Sequence, residues 1–284
     1  MLTSTTIARV VAAALEEDAP WGDITSESLI PESATAHAEL VAREAGVFSG
    51  GDVFAAAFGL TDPRVAVEVL VADGAPFQTG DVLAIVTGPA RAVLTAERIG
   101  LNFTQRMSGI ATLTARYVAE VAHTGARISD TRKTTPLLRA FERHAVLSGG
   151  GHNHRHSLSD AVMAKDNHLA VLTQRGVSVT AALQGAIARL SHTTHVEVEV
   201  DRLDQIEAVL AAGIGTIMLD NFTLDELRQG VEQIAGRVTI EASGGVTLQT
   251  VRAIAETGVD VISVGALTHS APALDLGLDI QLED

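Results

Sequence analysis

HVEVEV (195–200), TIMLD (216–220), VTIEAS (238–243) and VISVGA (261–266) are the stretches whose reading decides the fold. Each is a short run rich in β-branched residues, the composition of a buried strand. Their starts lie 21, 22 and 23 residues apart, and the gaps carry helical patterns such as LDELRQGVEQIA (224–235) and LQTVRAIAETG (248–258). Strand–helix units of this length in series indicate an α/β architecture with parallel strands. ARISD (126–130) reads as an earlier strand of the same series. A parallel α/β barrel is the expectation, with a doubly wound sheet as the alternative. Polar residues favour the barrel because they gather where the strands end: Asp130-Thr131-Arg132-Lys133, Glu199 with Asp201, Asp220-Asn221, Ser243-Gly244-Gly245 and Gly265-Ala266. Barrel ligands sit at the carboxyl ends of the strands.

The first third reads differently. Ile7, Val10, Val11, Ala14 and Leu15 recur at helical spacing after a Thr/Ser-rich cap. VAVEVLV (65–71), a turn at Asp73-Gly74 and VLAIVTG (82–88) form a small antiparallel β layer. Residues 91–123 read as two successive helices broken near Ser108-Gly109.

Composition narrows the function. Hydrophobic residues make up 46% of the 284 and aromatics only 3%, so the core is aliphatic. The net charge of −15 excludes nucleic acid and anionic membranes as partners. With no cysteine there are no disulfides and no thiol chemistry. The N-terminus lacks an apolar signal core and no run is long enough to span a membrane, so a soluble cytoplasmic protein is expected.

Against that acidic background, residues 127–165 hold seven Arg/Lys and three acids, including both lysines of the chain, Lys133 and Lys165. A cationic site in an acidic protein points to a small polyanion. Arg132 and Arg155 offer planar forks for carboxylate or phosphate, and the lysines offer point charges. Arg139 and Arg143 fall at helical spacing and read as a helix surface. Two Gly-containing turns, 243–245 and 265–266, let backbone amides approach a phosphate. Glu199 and Asp220 end neighbouring strands and suit Mg²⁺, which prefers oxygen ligands. The alternating His152, His154 and His156 would share one face of a strand and invite a zinc reading. In metal-dependent amidohydrolases, however, such a pair lies near the start of the barrel rather than mid-chain.

Nine ordered motifs resemble the quinolinate phosphoribosyltransferases: EEDAPWGDITS (16–26), LTAERIGLNFTQRMSGIAT (94–112), DTRKTTP (130–136), GGGHNHR (149–155), LSDAVMAKDNH (158–168), VEVEVD (196–201), IMLDNF (217–222), EASGGV (241–246) and TGVDVISVGALTHS (257–270). The resemblance implies an N-terminal α/β sandwich over residues 1–108, with the tail 272–284 packing on it, and an open α/β barrel over 109–271. It implies a homodimer whose sites are completed across subunits, and phosphoribosyl pyrophosphate and quinolinate as substrates. By motif, Arg132, His154 and Arg155, with Thr131 and Lys165, would bind quinolinate, and Arg98 would reach in from the partner chain. Lys133 and Lys165 would face the pyrophosphate. Glu199 and Asp220 would hold Mg²⁺ and the ribose hydroxyls, and Ser243, Gly244, Gly245, Val264, Gly265 and Ala266 the 5-phosphate. Leu137 stands where Gly is common, and His156-Ser157 where Leu-Gly is frequent, departures that could reshape the pocket wall.

Overall fold

A computed structural model describes residues 2–173 and 176–283. In chain order its strands are β1 Thr35–Ala42, β2 Gly46–Val47, β3 Ala66–Val69, β4 Pro76–Phe77, β5 Val82–Pro89, β6 Arg127–Ser129, β7 Val162–Ala164, β8 Val196–Val200, β9 Thr216–Asp220, β10 Thr239–Ser243, β11 Val261–Ser263 and β12 Leu276–Glu283. Two compact units result. One comprises Met1–Ala115, Thr134–Gly150 and Ser270–Asp284; the other comprises Arg116–Lys133 and Gly151–His269.

The first unit is built on a four-stranded sheet in the order β12-β1-β5-β3. The expected layer of β3 and β5 is antiparallel, with Ala66 opposite Thr87. β1 and β12 add to it, pairing antiparallel from Ala36↔Leu282 to Ala42↔Leu276. Along β1, Ala36, Ala38 and Leu40 are buried in alternation, as a half-covered strand requires. The segment Thr134–Gly150 belongs to this unit, a cut that differs from the sequence boundaries. Its anchor is Glu142, fully buried, which accepts from Arg106 (Nη2, 2.6 Å) and from the Thr135 amide (3.0 Å) and hydroxyl (2.8 Å).

The break expected near Ser108-Gly109 is absent: one helix runs from Ala90 to Val121. Gly109 serves packing instead. A Cβ there would lie 2.0 Å from the Pro272 carbonyl oxygen, so only glycine lets the C-terminal segment lie on the helix. Leu274 N–H then bonds the Gln105 carbonyl (2.9 Å), and the Gln105 side chain bonds the Leu276 carbonyl (2.7 Å).

The second unit is a six-stranded sheet ordered β6-β11-β10-β9-β8-β7, and each of its ladders is parallel. β7 to β11 follow chain order, and then β6, first in the chain, pairs with β11, the last. This is the order of an open barrel, with the opening between β6 and β7, where His152 bridges to Ser129. The five strands read from sequence are present, each to within three residues at either end and 216–220 without any difference. β7 was missed because three residues between a turn and a helix carry too little period.

The pleat sorts the side chains. Val198, Ile217, Leu219, Ile240 and Ala242 are buried on the face covered by helices, with Leu219 meeting the helix Leu224–Ile234 at Gly230. That helix starts with a capping box: Thr223 accepts from the Glu226 amide (3.3 Å) while Glu226 accepts from the Thr223 amide (2.8 Å). The cap turns the chain sharply after Asp220-Asn221. Among the described residues, no helix is long and apolar enough to cross a membrane.

Gly109→Ala should lower stability by about 1–3 kcal/mol through overpacking, read from urea unfolding; an unchanged midpoint would contradict the close approach. Leu137, exposed and left-handed at φ 67°, is strained. Leu137→Gly should leave the fold intact and raise stability by up to about 1 kcal/mol, measured in the same way.

Candidate active site

At the carboxyl ends of the barrel strands lies a cavity of about 510 Å³. Thr131, Arg132 and Lys133 reach it from the end of β6, His154 and Arg155 from the following loop, and Met163 and Lys165 from β7. Opposite stand Glu199 (β8), Met218, Asp220 and Asn221 (β9), Glu241 with Ser243–Gly245 (β10), and Ser263 (β11). The basic wall and the acidic and Gly-rich wall read from sequence thus face one cavity.

A recess of about 240 Å³ adjoins it, lined in part by Thr131, Lys133, Ser243, Gly244, Gly245, Gly265 and Ala266. Gly244 is left-handed at φ 95°, and a Cβ there would lie 2.1 Å from Asn221 Oδ1. The 243–245 turn therefore requires glycine and interlocks with the β9 turn, where the Asn221 amide bonds the Ser243 carbonyl (2.9 Å). Val264 does not border the recess: its side chain is buried and its amide bonds the Ser129 carbonyl (2.9 Å). Lys133 is held by its own backbone, whose N–H donates to Thr131 Oγ1 (3.0 Å) and whose carbonyl accepts from Thr268 (2.7 Å).

On the cationic wall, Arg155 Nη1 donates to the Ala161 carbonyl (2.9 Å). Burial and the neighbouring Arg132 charge lower the Arg155 pKa. Two guanidiniums forced together in this way are relieved by an anion between them. Arg132 Nε, Glu241 Oε1 and Ser263 Oγ, all on residues lining the cavity, and Glu197 Oε1 are buried without hydrogen-bond partners. Leaving a buried polar atom unpaired costs about 1–3 kcal/mol, a cost removed when a ligand or water arrives.

Lys165 Nζ bonds Glu199 Oε2 from the neighbouring strand, and Asn221 Nδ2 bonds Asp220 Oδ2 (2.7 Å). Glu199 and Asp220 are carboxylates on adjacent strands beside the turn at Ser243, which is in register with Asp220. That donor set is all oxygen and lies next to a phosphate-sized recess, so it fits Mg²⁺.

The histidines do not share a strand. His152 sits at the bridge, His152 and His156 are exposed, and His154 alone of the three turns to the barrel floor. There its Nε2 lies 3.2 Å from Glu197 and 3.3 Å from Glu241. Ligand atoms of these three residues lie within 4.8 Å of one another, close enough for a metal. Nδ1, however, accepts the Arg155 amide (2.7 Å), so the ring hydrogen must be on Nε2, where a metal would otherwise bind. Burial opposes charge on His154, but hydrogen bonds to Glu197 and Glu241 outweigh it and raise its pKa to about 10. Burial likewise raises Glu197. Both shifts describe one extra proton retained by the cluster, held on the Nε2–carboxylate side.

Sequence reasoning missed Glu197 and Glu241. The available signal was period two: Glu197 precedes Glu199, and Glu241 precedes Ser243, on the same inward face. Arg98 is exposed on the helix Ala90–Val121 and is not among the residues lining the cavity.

The family model described as quinolinate phosphoribosyl transferase, C-terminal domain, matches residues 110–279, and the N-terminal domain model matches 23–108. The chain belongs to the quinolinate phosphoribosyl transferase family. It is 43% identical over 278 residues to a nicotinate-nucleotide pyrophosphorylase (carboxylating) of Mycobacterium leprae, covering 95% of each chain. With a probable nicotinate-nucleotide pyrophosphorylase (carboxylating) of Bacillus subtilis it shares 40% over 268 residues, 94% of this chain and 91% of the relative. Among solved structures, NadC from Streptococcus pyogenes superposes with a TM-score of 0.94 at 40% identity, covering 100% of this chain and 99% of that one. The nicotinate-nucleotide pyrophosphorylase of Francisella tularensis gives 0.92 at 35%, covering 99% and 98%.

The buried cluster gives this family member a pH signature. A His pKa raised above its unfolded value stabilises fully below the unfolded value and loses that contribution as pH rises through the folded one. The stability difference between wild type and His154→Asn should be largest near pH 6, shrink steadily as the pH rises past the ordinary histidine value of 6.5, and be gone above about pH 10. Chemical unfolding across pH checks this; a pH-independent difference would contradict it.

Proposed function

We propose that this protein transfers phosphoribosyl from phosphoribosyl pyrophosphate to quinolinate with loss of CO₂, giving nicotinate mononucleotide and pyrophosphate. The observation that carries the reading is the division of one cavity between a cationic wall (Arg132, Arg155, Lys165) and an acidic, Gly-rich one (Glu199, Asp220, Ser243–Gly245). The first suits a pyridine dicarboxylate, the second a ribose with its 5-phosphate.

Arg132 and Arg155 grip the carboxylates and hold the pyridine nitrogen towards the sugar. Lys133, between the cavity and the recess, faces the pyrophosphate. Glu199 and Asp220 would hold Mg²⁺, which would supply neutralising charge to the pyrophosphate. The nitrogen lone pair forms the bond to the anomeric carbon as the C–O bond to pyrophosphate breaks, so no general base is needed. Positive charge developing on the sugar is stabilised by Glu199 and Asp220. The resulting pyridinium accepts the electron pair of the breaking C–CO₂ bond, and a proton then replaces the carboxylate. Lys165 balances charge on both sides through its bond to Glu199. Positioning and fixed charge supply most of the acceleration. The active form is a homodimer in which the partner's exposed Arg98 completes the cationic wall. A cytoplasmic location fits the cysteine-free, acidic composition.

With Mg²⁺, phosphoribosyl pyrophosphate and carboxyl-labelled quinolinate, the protein should release CO₂ and nicotinate mononucleotide in equal amounts. Turnover of another pyridine acid in its place would overturn the substrate assignment. Mixing Arg98→Ala with Lys165→Ala chains should restore roughly a quarter of wild-type activity, since half the dimers would be hybrids with one intact site of two. Inactive hybrids would contradict the shared site.

A further inference from the structure

We infer that Glu197 and Glu241 are positioning residues that fix Arg155 through His154. The inference rests on the quinolinate reading above and assigns His154 a different task from direct grip on the substrate. Residues 153–161 lie in no helix or strand, so polar contacts set their path. The buried Asp130 accepts the His154 amide (2.7 Å). Glu197 and Glu241 share the Nε2 side of the ring at 3.2 and 3.3 Å. Nδ1 accepts the Arg155 amide (2.7 Å), and the Arg155 guanidinium is tied to the Ala161 carbonyl (2.9 Å). The chain of contacts runs without a gap from two strands, β8 and β10, to the cation of the substrate wall.

Both ring nitrogens of His154 are engaged inside the protein, so the ring orients the loop rather than the substrate. Stability alone does not explain the arrangement. Two buried carboxylates around one imidazole are costly to desolvate, and an apolar floor of the same volume would serve the fold at least as well. Each carboxylate also keeps an oxygen with no partner, so the cluster is not saturated as a structural network would be. What the carboxylates add is direction: two acceptors on different strands fix the ring plane, and the ring fixes the amide that precedes the Arg155 side chain.

The test is kinetic and structural. Glu197→Ala and Glu241→Ala should each raise the KM for quinolinate about tenfold or more, with the KM for phosphoribosyl pyrophosphate little changed in the folded protein. Glu→Gln at either position keeps an acceptor for Nε2–H and should return the quinolinate KM to within about threefold of wild type. Adding Glu197→Ala to His154→Ala should cost nothing further, because the first change already removes the route. A parallel rise in both KM values, no effect, or a multiplicative double mutant would overturn the inference. A wild type that does not turn over quinolinate would sink the substrate reading instead. The crystal structure of substrate-free Glu241→Gln and Glu197→Ala then decides: Arg155 should stay on the Ala161 carbonyl in the first and leave it in the second. An Arg155 in place in both would overturn the inference, whatever the substrate.

Discussion

The pairing of β6 with β11 is the constraint on which the rest of the second unit depends. Val261, Ile262 and Ser263 lie parallel to Arg127, Ile128 and Ser129, which brings the first strand of the series beside the last. In a flat sheet following chain order, Asp130–Lys133 would lie at the far edge from Ser243–Gly245 and Gly265–Ala266. With the wrap, Lys133 shares a recess with both glycine turns. A segment rich in positive charge becomes one wall of a cavity whose other wall comes from four later strands.

Strand alternation then decides what fills the interior. Along β8, β9 and β10, aliphatic residues turn to the helices while Glu197, Glu199, Met218, Asp220, Glu241 and Ser243 turn inward. The interior is therefore polar, with cations at the open side of the barrel and carboxylates beneath and opposite. The proximity of Arg132 and Arg155 and the unpartnered buried atoms are each unfavourable without a ligand. They converge on one place, as expected where a preorganised site is maintained at the expense of stability.

Much of this was legible in the sequence. Regular spacing disclosed the strands from 195 onward, and polar residues at their ends located the cavity, because both are local properties of the chain. Pairings between distant segments were not legible. β12 joins β1 from the opposite end of the chain, and Glu142 draws its helix into the first unit, without any local period to announce either. Gly109 misled because a helix-weakening residue was read as a break, whereas the nearby Pro272 carbonyl makes it a packing requirement. Glu197 and Glu241 were overlooked because the strand-end argument attends to the last residue of each strand. The inward residue two positions earlier becomes visible only when His154 is seen to come down between them.

The central claim is that one cavity holds a dianionic pyridine against its cationic wall and a phosphoribosyl group against the opposite wall. A crystal structure with quinolinate and a non-reactive phosphoribosyl pyrophosphate analogue tests it most directly. The account predicts the pyridine carboxylates at Arg132 and Arg155 and the 5-phosphate in the recess at Ser243–Gly245 and Gly265. Carboxylates bound at the glycine turns, or a phosphate between Arg132 and Arg155, would contradict it.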